Sequence, residues 1–394
     1  MDELRPMSTS TPRLDEFAAA KLAALEDHAL RRHLTETHRL DQSYAGRGDV
    51  HLISFSCNDY LGLSQHPAVK RAAIAALERY GAGAGASRLV TGNHPLYAEL
   101  ERRLARLKGT EAACVFGSGY LANLGIPPSL VGKDDLIVAD ATVHASMHAG
   151  IRASQARALY FAHNDIEDCQ ALLRHHRAAH RHCLMMTEGV FSMDGDRAPL
   201  AALCDLAGTY QAWLMTDDAH GLGVLGGGRG SAAEAGVGAR VPLQMGTLSK
   251  AIGGYGGYLC ASSPVIELMV NRARSLIYAT GLPPATIAAS IAALTLIEED
   301  PALAVAPLTR ARRFTAALGL PEAESPIVPL IVGAPERALA ASRALAERGF
   351  LATAIRPPTV PQGTSRLRFT FSATHTDDDV DRLIASVREI GVVP

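Results

Sequence analysis

The sequence predicts an α/β fold: a mainly parallel central sheet with helices on both faces, plus a smaller C-terminal α+β domain. Beyond Pro95, the short apolar runs AACVF, DLIVAD, ALYFA, HCLMMTEG, WLMTDD, LQMGTLS and GYLCAS alternate with helical segments, as strands of a parallel sheet do. Several runs end in polar residues, and ligands of such sheets bind beyond the carboxyl ends of the strands. After a long helix over Ala285 to Glu299, three further apolar runs and two helices predict the smaller domain.

The composition excludes several classes of protein. The chain has 394 residues, of which 48% are hydrophobic and 20% are charged, and its net charge is -2. Without a basic excess, neither nucleic acid nor a membrane surface is expected as a partner. Six scattered cysteines without a C-x-x-C pair are typical of thiols in a reducing compartment. No apolar stretch approaches about 18 residues and no signal core begins the chain, so we expect a cytoplasmic protein.

The predicted organisation has three parts. Residues 1–50 form a tail and a helix, residues 51–290 a large α/β domain, and residues 291–394 the small domain. The first helix is expected over Arg13 to Leu40, with Arg31 and Arg32 near its end, where a solvated face is their simplest role. A strand from Val50 then runs into a turn at Asn58, and a helix follows over Pro67 to Tyr80.

Two glycine-rich segments look like nucleotide-binding motifs but lack the required spacing. The run GAGAGASRLVTG gives no G-x-G-x-x-G register and follows a helix rather than a strand, whereas GLGVLGGGRG lacks the lysine of a P-loop. We expect the first run to be a loop close to a ligand or a second subunit, where glycine permits unusual backbone angles.

Groups that could carry chemistry follow the predicted strands. The turn Gly117–Tyr120 precedes a helix, whose N–H groups favour an anion such as phosphate, although an ordinary glycine turn is the alternative. His144 could stack on an aromatic ligand. With His148 it could instead bind metal, but no carboxylate pattern supports a metal site and none is predicted. Glu188 ends the strand HCLMMTEG.

The stretch Trp213 to Lys250 holds the two most informative residues. Asp217 ends an apolar strand, so its carboxylate should be buried and needs a cationic partner, and His220 follows three residues later. Lys250 lies among small residues that offer it no carboxylate, a setting that disfavours the charged amine. A lone lysine more often extends to solvent, but together these groups match pyridoxal phosphate, which needs a lysine, an acid opposite its ring nitrogen, an anion site and a flat partner.

The chain resembles the α-oxoamine synthases, which are fold-type I pyridoxal-phosphate enzymes. The resemblance runs from about Arg31 to the C-terminus through NDYLGL, SGYLAN, TEGVFSMDGDRAPL, TDDAHGLG, GTLSKA, IRPPTVP and SRLRFTFSATH. It implies the fold of the aspartate aminotransferases and a homodimer with its sites at the interface. Ser249, where relatives often have glycine, is a departure that leaves Lys250 in place.

The resemblance also implies the roles of the site residues. Lys250 would form the Schiff base, Asp217 would pair with the ring nitrogen, and His144 would stack on the ring. The remaining cofactor contacts implied are Gly119, Tyr120, Glu188, Ser192, His220 and Thr247, and the implied catalytic residues are Lys250, His144, Asp217 and His220. The implied substrate contacts are Arg31, Asn58, His144, Thr359 and Arg356, whose planar guanidinium suits a carboxylate.

The resemblance is strongest to the branch that condenses L-alanine with a pimeloyl thioester on CoA or acyl carrier protein. The segments TEGVFSMDGD and IRPPTVP carry this expectation. Two alternatives stay open: a glycine-using acyltransferase of the same family, such as a glycine C-acetyltransferase, and a non-catalytic subunit that only scaffolds a partner. The presence of Lys250 argues against the scaffold.

Overall fold

The structure is a computed structural model that describes residues 13–39, 41 and 43–392. Across these ranges no helix combines the length and the apolar character needed to cross a membrane.

The N-terminal segment is one short helix followed by three strands. These elements are α1 (Leu14–Asp27), β1 (His38–Arg39), β2 (Tyr44–Arg47) and β3 (Val50–Ser54). The expected helix to Leu40 is therefore wrong in its length. It ends at Asp27 because Ala29 takes a left-handed φ of 54° and the N–H groups of Leu30 and Arg31 turn back to the Leu25 carbonyl. Leu40 itself lies outside the described residues.

The large domain contains most of the elements. They are α2 (Pro67–Tyr80), α3 (Pro95–Lys108), β4 (Ala112–Phe116), α4 (Gly119–Leu130), β5 (Leu136–Asp140), α5 (Ala145–Ser154), β6 (Arg157–Phe161), α6 (Ile166–His176), β7 (Cys183–Glu188), α7 (Leu200–Thr209), β8 (Trp213–Asp217), α8 (Ser231–Glu234), β9 (Leu243–Thr247), β10 (Gly257–Ala261), α9 (Ser263–Arg272), α10 (Arg274–Ile277) and α11 (Pro284–Glu299). Each of the seven apolar runs forms one of these strands, β4 to β10.

The central sheet has seven strands in the order β4-β10-β9-β8-β7-β5-β6. All run parallel except β10, which pairs antiparallel with both β4 and β9. Residues alternate between the two faces: Ile137 of β5 packs in one apolar core with α4 and α5, whereas Leu136 packs in another with α6 and α7. Burial on both faces explains why these strands read as unbroken apolar runs.

The small domain packs helices on an antiparallel sheet. Its elements are α12 (Pro301–Leu318), β11 (Ile327–Gly333), α13 (Pro335–Ala346), β12 (Phe350–Leu351), β13 (Thr353–Ile355), β14 (Ser365–Thr370) and α14 (Asp377–Glu389). The sequence predicts two helices here, whereas the structure has three; α12 begins directly after α11 at Pro301. Proline is favoured at a helix's first position, so this residue starts a new helix where a stop was expected.

The chain from β3 onward links the two domains. β3 pairs in parallel with β12 of the small domain, and Ile53 and Phe55 join the small domain's core. The boundaries at residues 50 and 290 stay a prediction. The segment after β3 then enters the large domain at Asn58 and Tyr60, next to the cavity described below.

Candidate active site

A cavity of about 230 Å³ opens where the parallel strands end. Eight of the residues expected to bind the cofactor or substrate contribute to its wall, because the carboxyl ends of β4, β7, β8 and β9 meet at the same edge of the sheet. The lining residues are Ser118, Gly119, Tyr120, Asn123, His144, Ser146, Glu188, Asp217, Ala219, His220, Met245, Thr247, Ser249 and Lys250.

Asp217 is held in place at the end of β8. Its Oδ2 accepts a hydrogen bond from Asn123 Nδ2 at 2.7 Å, and its Oδ1 accepts one from the backbone N–H of Ala219 at 3.0 Å. The residue is buried, with 5% of its surface exposed. These bonds fix the orientation of a carboxylate that faces the cavity.

Glu188 lies beside Asp217 because the two residues are partners in the register of β7 and β8. Burial, and then the negative charge of Asp217, raises the pKa of Glu188 well above its ordinary value. Its Oε1 is buried without a hydrogen-bond partner among the described residues. The environment of Glu188 therefore favours its neutral form.

Lys250 contacts His220 across the cavity wall. The amine Nζ lies 2.6 Å from His220 Nε2, and His220 Nδ1 lies 2.6 Å from the Tyr60 hydroxyl. Burial lowers the pKa of Lys250 to about 8, against the opposing effect of Asp217. Burial also lowers the pKa of His220 well below its ordinary value. A neutral amine is thus accessible near neutral pH.

His144 caps the first turn of α5. Its Nδ1 accepts from the backbone N–H of Ser146 at 3.2 Å and lies 2.6 Å from the Ser146 hydroxyl. Burial lowers the pKa of His144, which favours the neutral ring. Because Nδ1 of His144 is hydrogen-bonded to Ser146 of α5, the ring is held in one orientation at the cavity.

The N-terminus of α4 forms one wall of the cavity. Ser118 caps this helix by accepting from Leu121 N at 3.2 Å, and the N–H groups of Gly119 and Tyr120 belong to the first turn, where helices leave donors unpaired. A Cβ on Gly119 would come within 3.3 Å of Thr247 Cβ, so glycine allows this close approach. Ser249 accepts from the Gly256 N–H at 3.3 Å and so braces the turn after β9.

Asn58 and Ser192 lie just behind the lining residues and are joined by Arg368. Its Nη1 donates to Asn58 Oδ1 at 3.1 Å, and its Nε donates to the Ser192 carbonyl at 2.5 Å. The arginine is buried, with 7% of its surface exposed. Its positive charge lowers the pKa values of both Lys250 and His220, after larger effects of burial and other charges.

The remaining expected substrate contacts cluster near the N-terminal segment. Arg356 donates to the carbonyls of Ala29 and Arg31. Arg32, rather than Arg31, lies 3.3 Å from the Thr359 hydroxyl. The Arg31 guanidinium lies 3.5 Å from Glu26. The structure thus groups Arg356, Thr359 and the chain around Arg31, and none of these residues lines the cavity.

Sequence reasoning missed four residues that organise the site: Tyr60, Asn123, Ser146 and Arg368. A signal existed for two of them. Asn123 follows Gly119 by four residues, so both share one face of α4. Arg368 lies two residues after Arg366 in β14, so both side chains point to the same face. Tyr60 contacts His220, which is distant in sequence, and Ser146 contacts the ring of the nearby His144. No sequence pattern reveals either contact.

Two strand-end acids serve the scaffold instead of the cavity. Asp140 accepts from Thr142 N and Asn164 N, each at 2.8 Å, and lies against His163. Asp218, next to Asp217, forms a buried ion pair with Lys108 at 2.6 Å. Neither carboxylate reaches the cavity.

Known proteins resemble the chain over nearly its whole length. The model of the family described as aminotransferase class I and II matches residues 50–387. An 8-amino-7-oxononanoate synthase of Methylocella silvestris is 66% identical over 344 residues, which cover 87% of this chain and 98% of that relative.

Solved structures share the fold. A Sphingomonas wittichii serine palmitoyltransferase superposes with a TM-score of 0.91 at 30% identity, covering 98% of this chain and all of that one (100%). A serine palmitoyltransferase variant from S. paucimobilis with a bound PLP–myriocin aldimine gives a TM-score of 0.87 at 29% identity, covering 96% of this chain and 98% of that one.

Proposed function

The chain belongs to the class I and II aminotransferase family, and we propose that it catalyses the reaction of the 8-amino-7-oxononanoate synthases among the α-oxoamine synthases of that family. L-Alanine and a pimeloyl thioester, on CoA or acyl carrier protein, give 8-amino-7-oxononanoate, carbon dioxide and the free thiol of the carrier. This is a step of biotin biosynthesis.

One observation carries the choice of substrate. The chain is 66% identical to an 8-amino-7-oxononanoate synthase over 98% of that relative, but only 30% identical to a serine palmitoyltransferase of the same fold. The fold, and the lysine and aspartate of the cavity, are compatible with either reaction. Sequence identity over the whole length therefore favours the 8-amino-7-oxononanoate synthase reaction. Similarity of fold alone does not separate the two reactions.

The residues of the cavity fit pyridoxal phosphate. The polar groups that this cofactor needs are supplied by the first turn of α4 against Thr247, by the Asp217 carboxylate opposite Lys250, and by the buried Glu188 Oε1, which has no hydrogen-bond partner in the described ranges. Asp217 would hold the ring nitrogen, and His144 would cover the ring. Gly119, Tyr120 and Thr247 would hold the phosphate, with His220 and Ser192 near the phenolic oxygen and Glu188 in the wall.

When bound, pyridoxal phosphate supplies an electron-accepting ring that stabilises negative charge on the α-carbon of an attached amino acid. The chain's own residues supply the charges and the proton transfer. Asp217 places a negative charge, fixed by Asn123, where it keeps a positive partner protonated. Lys250, with its pKa lowered to about 8, can accept a proton at Nζ and return it near neutral pH. Burial favours the neutral form of Glu188, whereas both oxygens of Asp217 accept hydrogen bonds.

Two properties beyond the catalytic step form part of the proposal. A homodimer is supported by the exposed apolar side chains of Leu89, Val90 and Tyr278, which are 56%, 73% and 71% exposed and lie at or near the bridge between Ser87 and Thr280. The cytoplasm is supported by six cysteines that all lie unpaired within the described residues.

The test is a substrate-pair assay. The purified protein with pyridoxal phosphate is given L-alanine, glycine or L-serine, each with pimeloyl-CoA, pimeloyl-acyl carrier protein, acetyl-CoA or palmitoyl-CoA. Products are identified by mass spectrometry, and thiol release is followed. We expect 8-amino-7-oxononanoate from L-alanine with a pimeloyl thioester. A preference for glycine with acetyl-CoA, or L-serine with palmitoyl-CoA, would contradict the proposal.

A control separates an enzyme from a scaffold. The protein should show a visible absorbance band with pyridoxal phosphate, and Lys250→Ala should change that band. An absent band, or one that Lys250→Ala leaves unchanged, would favour the non-catalytic alternative.

A further inference from the structure

Five side chains from four separate parts of the sequence form one hydrogen-bond chain that ends at Lys250. Arg368 Nη1 donates to Asn58 Oδ1 at 3.1 Å, and the Tyr60 hydroxyl lies 3.2 Å from that same oxygen. The Tyr60 hydroxyl also lies 2.6 Å from His220 Nδ1, and His220 Nε2 lies 2.6 Å from Lys250 Nζ. Tyr60 is fully buried (0% exposed) and His220 is 4% exposed.

Arg368 sets which atoms donate and which accept along this chain of hydrogen bonds. A guanidinium only donates, so the Asn58 atom that faces Arg368 is the amide oxygen, which only accepts. The Tyr60 hydroxyl can bond to this oxygen only by donating its single proton, and towards His220 the tyrosine oxygen is then an acceptor. His220 Nδ1 must then carry a proton. Because burial keeps the imidazole neutral, its Nε2 is left bare and accepts a hydrogen bond from Lys250.

We propose that Tyr60 is a positioning residue for Lys250: by accepting the Nδ1 proton of His220, it fixes the tautomer whose Nε2 accepts a hydrogen bond from the lysine amine. The acceptor favours the protonated amine and offsets part of the burial that disfavours it. It also restricts rotation of the amine in the cavity. The relevance to catalysis rests on the proposed function, in which Lys250 carries the cofactor, but the tautomer does not depend on the substrate.

Removing the tyrosine hydroxyl tests the chain. In Tyr60→Phe the His220 proton is free to move to Nε2, which then cannot accept from an ammonium group. The charged form of Lys250 loses its acceptor, so its pKa should fall by about one unit, as expected when one hydrogen bond to a charged group is lost. The change removes one oxygen and keeps the buried ring.

The chain offers a matched control. Tyr258 is also fully buried (0% exposed), but its hydroxyl has no hydrogen-bond partner in the part of the chain that the structure describes. Tyr258→Phe therefore removes the same oxygen from a buried tyrosine without breaking a hydrogen bond. It should leave the Lys250 pKa unchanged.

The measurement uses the cofactor-free protein, so that it is independent of activity. The rate at which trace acetic anhydride modifies Lys250 is followed against pH by peptide mass spectrometry, with the exposed Lys133 as an internal reference. A fall in the Lys250 pKa in Tyr60→Phe alone supports the proposal. No change, a rise, or an equal fall in Tyr258→Phe overturns it. The substrate-pair assay is separate, so either idea can fail without the other.

A second measurement needs no variant of Tyr60 and remains decisive if Tyr60→Phe does not fold. In the unaltered cofactor-free protein labelled with ¹⁵N-histidine, the ring nitrogen shifts of His220 distinguish the two neutral tautomers, and His220→Gln assigns the signals. We expect the proton on Nδ1. A signal from the Nε2–H tautomer as the major form would overturn the proposal.

Discussion

At the scale of single residues, the site separates two adjacent acids by their environment. Asp217 accepts hydrogen bonds on both oxygens, which suits a carboxylate, whereas Glu188 keeps one oxygen without a partner among the described residues and has a raised pKa because of burial and its charged neighbour. Lys250 faces both acids with a lowered pKa. The cavity thus holds one negative charge and one amine that can lose its proton.

This assignment predicts opposite outcomes for two isosteric changes. Asp217→Asn removes the negative charge opposite the amine and should lower kcat/KM about a hundredfold or more. Glu188→Gln replaces a group that is already neutral and should change kcat/KM by no more than about tenfold. Steady-state kinetics with L-alanine measure both. Equal losses in the two variants would contradict the different roles assigned to the two acids.

Two arginines, Arg356 and Arg368, are candidates for binding the carboxylate of the amino-acid substrate. Arg356 is the expected partner and donates to two backbone carbonyls, whereas Arg368 lies just behind the cavity lining and donates to Asn58 and the Ser192 carbonyl. We expect Arg368→Lys to raise KM for L-alanine about tenfold or more, because lysine keeps the charge and loses the planar fork. Arg356→Lys is the matched variant, and a larger rise in KM there would favour Arg356 as the partner of the carboxylate.

At the scale of elements, a buried ion pair organises the glycine-rich loop after β8. Asp218 accepts from Lys108 Nζ at 2.6 Å and from the Ser231 hydroxyl at 2.6 Å. A Cβ on Gly221 or Gly230 would lie 2.1 Å or 1.8 Å from a carboxylate oxygen of Asp218. These glycines are therefore required by packing against the ion pair. The loop that looked like a nucleotide motif instead packs against Asp218, the residue after Asp217.

Breaking the ion pair should destabilise the protein strongly. Lys108→Met leaves the Asp218 carboxylate buried without its cation, which costs about 3–5 kcal/mol of unfolding free energy. Urea unfolding of the cofactor-free protein measures the cost. Lys133→Met, at an exposed lysine, is the control and should change stability by less than about 0.5 kcal/mol. Equal midpoints for the two variants would refute the role of the pair.

His163 holds the turn that bears Ser192 and gives the stability a pH dependence. Its Nδ1 lies 3.2 Å from Asp140 and its Nε2 2.7 Å from Asp196. Hydrogen bonds to these carboxylates, Asp140 first, raise the pKa of His163 to about 10. Because the folded pKa lies above the unfolded value of about 6.5, this contribution is complete below pH ~6.5 and is lost as pH rises towards 10.

The predicted observation is a difference between variants. From pH ~6.5 to 10 the unfolding free energy of the unaltered protein should decrease relative to that of His163→Gln. The two proteins are compared because other titrating groups, Lys250 among them, contribute equally to both and cancel. Urea unfolding across this range provides the measurement. His51→Gln, at an exposed histidine, should behave like the unaltered protein. Parallel curves for the unaltered protein and His163→Gln would contradict a raised pKa for His163.

At the scale of the whole molecule, the site joins the two domains. His220 and Lys250 follow strands of the large domain, Arg368 belongs to β14 of the small domain, and Asn58 and Tyr60 lie on the chain between β3 and α2. Any movement of one domain against the other would therefore alter the hydrogen bonds that reach Lys250.

The proposed homodimer gives a prediction at the same scale. Val90 lies in the segment Arg88–Gly92, a turn of π-helix, and is 73% exposed. If this segment meets a second copy, Val90→Glu should shift the protein towards monomer, because burying an unpaired charge is costly. Sedimentation at several concentrations measures this. Val305→Glu, at a 59% exposed valine of α12, should leave the mass unchanged. A monomeric unaltered protein would contradict the dimer.

The sequence by itself determined the class of fold and most of the cavity wall. Strands buried on both faces must be apolar throughout, so the seven runs and their polar ends could be read directly, and Gly119, His144, Glu188, Asp217 and Lys250 do meet at one edge. Local sequence signals did not predict two helix boundaries. The first helix, α1, ends at Asp27 because Ala29 is left-handed, and Pro301 starts a new helix.

Only the tertiary structure decided which groups act on Lys250. The contacts Tyr60–His220 and Asn123–Asp217 join residues separated by 160 and 94 positions, and that between Arg368 and Asn58 spans 310. No periodicity relates such positions, because hydrogen bonds between distant segments depend on how the layers pack. The same packing set the charges: burial lowers the pKa of the lysine and raises that of Glu188, which residue type alone does not fix.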